Sequence, residues 1–209
     1  MTFKKMILSF LTYLFLLTGV NTFLTLLKPS NITFTIINIL TMLILIITLI
    51  KINNLNIRET IKDFKTNYKK YLILILKTLA IGLVFIIISN LIITKFNDLP
   101  QNELIIREEL KKYPFYYTLN IIIFSPIIEE ILFRYNLTII KNKYIYIIVS
   151  TLLFAILHIQ KIPQDLIHLI SYTLMSLTFL YPFYKTKNIL SSIITHSVYN
   201  LITLITIIL

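Results

Sequence analysis

The segment FSPIIEEILFRYNL places Glu129, Glu130 and Arg134 in a stretch that is otherwise almost wholly apolar. His158 lies in LLFAILHI, and His196 and Asn200 lie in SSIITHSVYNL. Carboxylates and imidazoles exchange protons, and a guanidinium holds a carboxylate ionised. Inside a membrane helix each such charge costs about 2.5–3.5 kcal/mol. Three ionised groups packed this closely would cost on the order of 8–10 kcal/mol if unpaired. A membrane helix keeps such a cluster only where the groups find partners and perform a task, and this points to an active site inside the bilayer.

Spacing assigns first roles. At about 100° per residue, Glu129 and Glu130 project in different directions. Glu130 and Arg134 are four apart and share a face, so an ion pair between them is natural. Glu129 is left on the neighbouring face and is the better candidate for a base facing a cavity. Phe154 and His158 share a face in the same way, as do His196 and Asn200. A single membrane histidine commonly serves as an interhelical hydrogen-bonding group. Two of them with a glutamate pair on a third helix favour chemistry. His168, with no such partner, is expected at an interface and outside the site.

The elements that must position these residues are membrane spans. The chain has 209 residues, is 57% hydrophobic and 14% charged, and has a mean hydropathy of +0.84. That composition excludes a soluble domain and indicates an all-α polytopic bundle. A span needs about 20 apolar residues. Seven are expected: Met6–Leu27, Ile32–Ile50, Tyr71–Thr94, Pro114–Ile140, Tyr144–Ile159, Leu166–Tyr184 and Ile189–Leu209. Residues 1–113 form an N-terminal part with a basic loop, and residues 114–209 carry every motif. Met6–Leu27 lacks a small-x-small cleavage site and reads as a retained helix. Pro126 should kink the fourth span one turn before the carboxylates. The fifth span is short and sets His158 and His196 at depths differing by about 9 Å if the helices are straight and parallel. Pro100–Lys112 has apolar residues at helical spacing among mixed charges and reads as an interfacial helix.

The net charge of +11 reflects topology. With the N-terminus inside, twelve Lys and Arg fall on the cytoplasmic side and six on the other, so the N-terminus is expected in the cytoplasm and the bilayer is the expected partner of the basic loops. Nothing resembles an RNA-binding motif, and no nucleic-acid partner is expected. Cysteine is absent, which excludes a thiol nucleophile and a disulfide framework. The Ile, Asn and Lys bias suggests a bacterial source.

Three motifs in order carry a family resemblance. Glu129-Glu130-Ile-Leu-Phe-Arg134 matches EExxxR, Phe154-Ala-Ile-Leu-His158 matches FxxxH, and His196-Ser-Val-Tyr-Asn200 matches HxxxN. Over about Pro114–Thr203 the chain resembles the CPBP (Abi/CAAX-processing) family of intramembrane proteases. The resemblance implies a helical bundle around a polar cavity, where glutamate-activated water cleaves a peptide bond. By motif, Glu129 is the base and His158 its partner in holding water or metal. His196 and Asn200 are the polar pair near the oxyanion, and Glu130, Arg134 and Phe154 give support. Tyr135 stands where many members have Gly, and Leu166–Tyr184 lacks the Gly common before the last motif.

Peptide hydrolysis needs a base for water, a donor for the oxyanion and a proton for the leaving amine, and these side chains can supply them. Glu129, His158 and His196 could also hold a zinc ion with an open position. The implied partner is a peptide or membrane-protein substrate, with roles in peptide maturation or bacteriocin self-immunity. Two other readings remain: a non-catalytic immunity or scaffold protein of the same fold, and a proton-coupled transporter using Glu129 and the histidines as a relay.

Overall fold

The computed structural model describes residues 2–208, all helices and connections. Helix α1 (Phe3–Leu27) begins at Thr2, whose hydroxyl accepts from the Lys5 amide. It ends at Lys28 in the left-handed conformation, and Ser30 caps α2 (Asn31–Asn53) at once. This tight hairpin sets α1 against α2, and Asn53 Nδ2 donates to Ser9 Oγ at 3.0 Å across the buried contact. Next come α3 (Ile57–Thr66) and α4 (Tyr68–Ile93). The stretch expected as a basic loop therefore contains a helix. The segment expected as an interfacial helix is helical, α5 (Gln101–Lys112).

The fourth span runs as one helical rod over Pro114–Ile139, but its pitch changes along the way. It comprises α6 (Pro114–Leu119), a π turn at Asn120–Phe124, α7 (Ser125–Glu130), a second π turn at Ile131–Tyr135 and a 3-10 end at Asn136–Ile139. The cause of the first π turn lies in Pro126, which has no N–H to donate. The Ser125 amide reaches back to Asn120 O, and the widened turn takes the place of the expected kink.

Helix α8 (Lys143–Leu157) has 15 residues and, at 1.5 Å per residue, is too short to cross about 30 Å of hydrocarbon. Six helical segments are long and apolar enough to span, where seven were expected. The chain then passes through a 3-10 turn at Gln164–His168 into α9 (Leu169–Thr186) and α10 (Ile189–Ile208). Leu209, the expected end of the last span, lies outside the described residues.

Helix α9 is the hub, packed against α4, α8 and α10. Gly82 of α4 makes a close approach possible. A Cβ built there would lie 2.3 Å from Thr178 Oγ1 and 2.5 Å from its Cγ2. Nearby, Ser171 Oγ donates to Asn90 Oδ1 at 2.7 Å and contacts Ser89 Oγ at 3.0 Å. Small and hydroxyl residues thus knit α4 to α9, as in membrane bundles generally. The third span thus packs directly on α9 and α10. Apolar side chains such as Phe15 and Leu26 stay exposed on the rim, which is the surface lipid covers. A Gly82→Ala substitution should destabilise the α4–α9 contact by about 1–3 kcal/mol through overpacking. Adding Thr178→Ala should recover part of the lost unfolding midpoint in detergent, since the Thr178 Cβ still lies 2.9 Å from the new one; a single variant that melts like wild type would disprove the close contact.

Candidate functional site

Arg134 and Glu130 are both fully buried, and Arg134 Nε lies 3.2 Å from Glu130 Oε2. Nε is not aligned for a hydrogen bond, so the contact is an ion pair whose guanidinium directs its remaining donors elsewhere. Nη1 donates to Ser150 Oγ at 3.2 Å and Nη2 to Ser176 Oγ at 3.1 Å, with the two serine carbonyls as further acceptors. The Arg134 plane also lies 5.0 Å from the Phe154 ring centre. Glu130 accepts from Ser192 Oγ through Oε2 and contacts His196 Nδ1 at 2.9 Å through Oε1. One buried pair thereby links α7, α8, α9 and α10.

These contacts orient the imidazoles. A carboxylate only accepts, so His196 Nδ1–H donates to Glu130 and the neutral ring has its lone pair on Nε2. His158 caps the end of α8, and its Nδ1 lies 2.7 Å from Phe154 O. A carbonyl also only accepts, so the lone pair of neutral His158 is again on Nε2. Both Nε2 atoms stand 4.0 Å from Glu129 Oε2, a buried oxygen with no hydrogen-bond partner in the protein. Stacking fixes the ring planes, with His196 on Phe179 at 4.1 Å and His158 on Phe154 at 4.4 Å.

Asn200 faces the same cavity, and its Nδ2 donates to Ile121 O at 2.8 Å. The first π turn explains why that carbonyl is available. Ser125 N–H is taken by Asn120 O, and the next candidate donor is Pro126, which has no N–H.

Three acceptors facing one point have the chemistry of metal ligands, and the outer contacts to Glu130 and Phe154 O resemble those that orient ligating histidines. Their spacing is less suitable. Zinc bonds of about 2.0–2.1 Å in a tetrahedron set ligand atoms about 3.4 Å apart, closer than the 4.0 Å found here. Among the described residues, no three His, Asp or Glu groups are placed to close around a metal. Two hydrogen bonds of about 2.8 Å diverging from one water at about 90° end about 4.0 Å apart. The arrangement fits a water better than a tetrahedral zinc ion.

A cavity of about 600 Å³ opens from this point. Glu129, His158, His196 and Asn200 all line it, together with Glu103 and Arg107 of α5 and the apolar side of α4. Both histidines nonetheless reach Glu129, so the difference in depth expected for straight, parallel spans is closed in the structure. His168 departs from expectation. It is buried at 4% exposure, lines the cavity and bonds Asp98 O at 2.9 Å. Asp165, unremarked in the sequence, anchors the adjoining loop by accepting from the amides of Gln160, Lys161 and Gln101. Ser150, Ser176, Ser192 and Phe179 were also missed, because serine and phenylalanine are common in membrane helices. Their spacing on α8, α9 and α10 carries no distinctive local mark.

Six apolar spans enclosing a buried set of carboxylates and histidines define a multi-pass membrane protein with an intramembrane polar site. Residues 111–202 match the family model described as type II CAAX prenyl endopeptidase Rce1-like. This segment contains all three motifs, and through it the chain is similar to the CPBP (CAAX protease) family. No curated protein matches it, and no solved structure does.

Removing Arg134 leaves Glu130 charged and without its counter-ion in a dry site. Arg134→Ala should therefore cost roughly 3–5 kcal/mol of stability, read as lower accumulation and a lower unfolding temperature. Arg134→Lys should recover only part, since an ammonium cannot reach two serines and a carboxylate in one plane. Normal melting of the alanine variant would mean that the pair is solvated.

Proposed function

We propose that the chain is an intramembrane endopeptidase that hydrolyses a peptide bond of a membrane-associated or peptide substrate. The observation that carries this reading is the 4.0 Å placement of both His Nε2 atoms around Glu129 Oε2. A water there can donate to Glu129 and to one imidazole lone pair. Glu129 takes the water proton as its oxygen attacks the peptide carbonyl carbon, and the carbonyl electrons move to oxygen. Asn200 spends one amide hydrogen on Ile121 O and has a second to offer the developing oxyanion without adding charge. When the C–N bond breaks, the proton held by Glu129 passes to the leaving amine. His158 takes the water's second hydrogen and holds it in place, and His196, its orientation set by Glu130, flanks the same position.

The apolar walls from α4 and α10 suit a hydrophobic peptide segment, and the polar end admits water. A bacterial setting favours peptide maturation or bacteriocin self-immunity over processing of prenylated proteins. The distribution of basic residues, twelve against six, supports a cell-membrane protein with its N-terminus in the cytoplasm. No step needs a metal, so a chelator should leave cleavage unchanged.

Glu129→Gln is nearly isosteric and removes only the base. It should abolish cleavage while preserving the unfolding midpoint. The readout is a comparison of membrane and secreted peptides between cells expressing the wild type and the variant. Cleavage products that persist undiminished in the variant would rule out the mechanism.

A further inference from the structure

Helix α3 buries none of its residues, yet it is firmly anchored. Asp63 Oδ2 accepts from Asn188 Nδ2 at 2.7 Å and from Tyr71 OH at 3.0 Å. Asn188 Nδ2 also donates to Thr60 O at 2.9 Å, and Phe64 packs edge-on to Tyr71 at 5.7 Å. Thr60, Asp63 and Phe64 thus face the bundle, and the opposite side of the helix is held outward in one orientation.

At about 100° per residue the outward side has a definite order. Ile57 and Ile61 come first, both 39% exposed. Lys65, Arg58 and Lys62 follow on the next strip, all exposed. The ion pairs found among the described residues involve other cations. Arg58, Lys62 and Lys65 line a shallow concavity of about 410 Å³ with Ile61 and Thr66. An apolar edge beside a basic strip is the pattern of a helix lying in the interface, with cations at headgroup level.

We propose that α3 is a binding helix for anionic phospholipid. Ile57 and Ile61 enter the acyl boundary, and Arg58, Lys62 and Lys65 hold the phosphate of a phosphatidylglycerol-type headgroup. Charge complementarity selects this occupant, since a zwitterionic headgroup brings no net negative charge to three unpaired cations. The proposal does not depend on the peptidase reading.

The test uses the full chain in neutral detergent with acyl-labelled fluorescent phosphatidylglycerol and phosphatidylcholine. Wild type should prefer phosphatidylglycerol by about tenfold or more, and added salt should weaken that preference. R58Q/K62Q/K65Q should lose the preference at an unchanged unfolding midpoint. I57S/I61S should weaken phosphatidylglycerol binding while the cations remain. Inorganic phosphate at matched concentration should fail to compete. Undiminished binding by the triple glutamine variant would overturn the proposal, and full competition by inorganic phosphate would make this a free-anion site instead. Should the triple variant prove unstable, a wild-type preference that is indifferent to salt would overturn it equally.

Discussion

The ion pair between Arg134 and Glu130 is the interaction on which the rest of the site depends. Neither group is exposed to solvent, and neither could remain charged in this environment alone. The pair therefore draws polar partners from three other helices. Ser150 comes from α8, Ser176 from α9, and Ser192 and His196 from α10. Satisfying the buried charge is the same event as docking the four helices in one register. Stability and the orientation of His196 are two consequences of one network, and a change in the pair is felt in both.

Backbone satisfaction is the second constraint. In hydrocarbon every N–H and C=O needs a partner, so a proline in a span leaves a debt that another group must meet. Pro126 leaves Ile121 O without a donor on its own helix, and Asn200 supplies one from α10. The residue that the family resemblance places beside the oxyanion is thus fixed by a defect in a facing helix. The second π turn works alike, with Ser150 Oγ donating to Phe133 O at 2.7 Å and Tyr146 OH to Arg134 O at 3.2 Å. Irregular pitch is what lets side chains from other helices reach this backbone.

Much of the site is legible in the sequence, because its first-order geometry is local. Residues four apart share a helical face whatever surrounds them, so the Glu130–Arg134 pair and the different direction of Glu129 follow from spacing alone. Long apolar runs mark the spans for the same reason, and α5 was recognisable from its mixed charges at helical period. Where the reading missed, the cause was a nonlocal one. Whether α8 is long enough to cross, and where its end leaves His158, depends on the depth at which its neighbours hold it. His168 looked interfacial because the bond that holds it, to Asp98 O, comes from 70 positions away in the sequence. The basic stretch before α4 looked like a loop because its apolar residues are few, and it is Asp63, through Asn188, that docks it as a helix.

By itself, then, the sequence determined the helical class, the order of spans and the identity of the ionisable groups, since covalent geometry and hydropathy act over a few residues. Only the tertiary structure decided that Glu129, His158 and His196 meet at 4.0 Å, which imidazole nitrogens face the cavity, and which serines hold the charge. Those features require the rotation and depth of one helix relative to another. Both are set by the shared packing and hydrogen bonding of the bundle, and no single segment contains them.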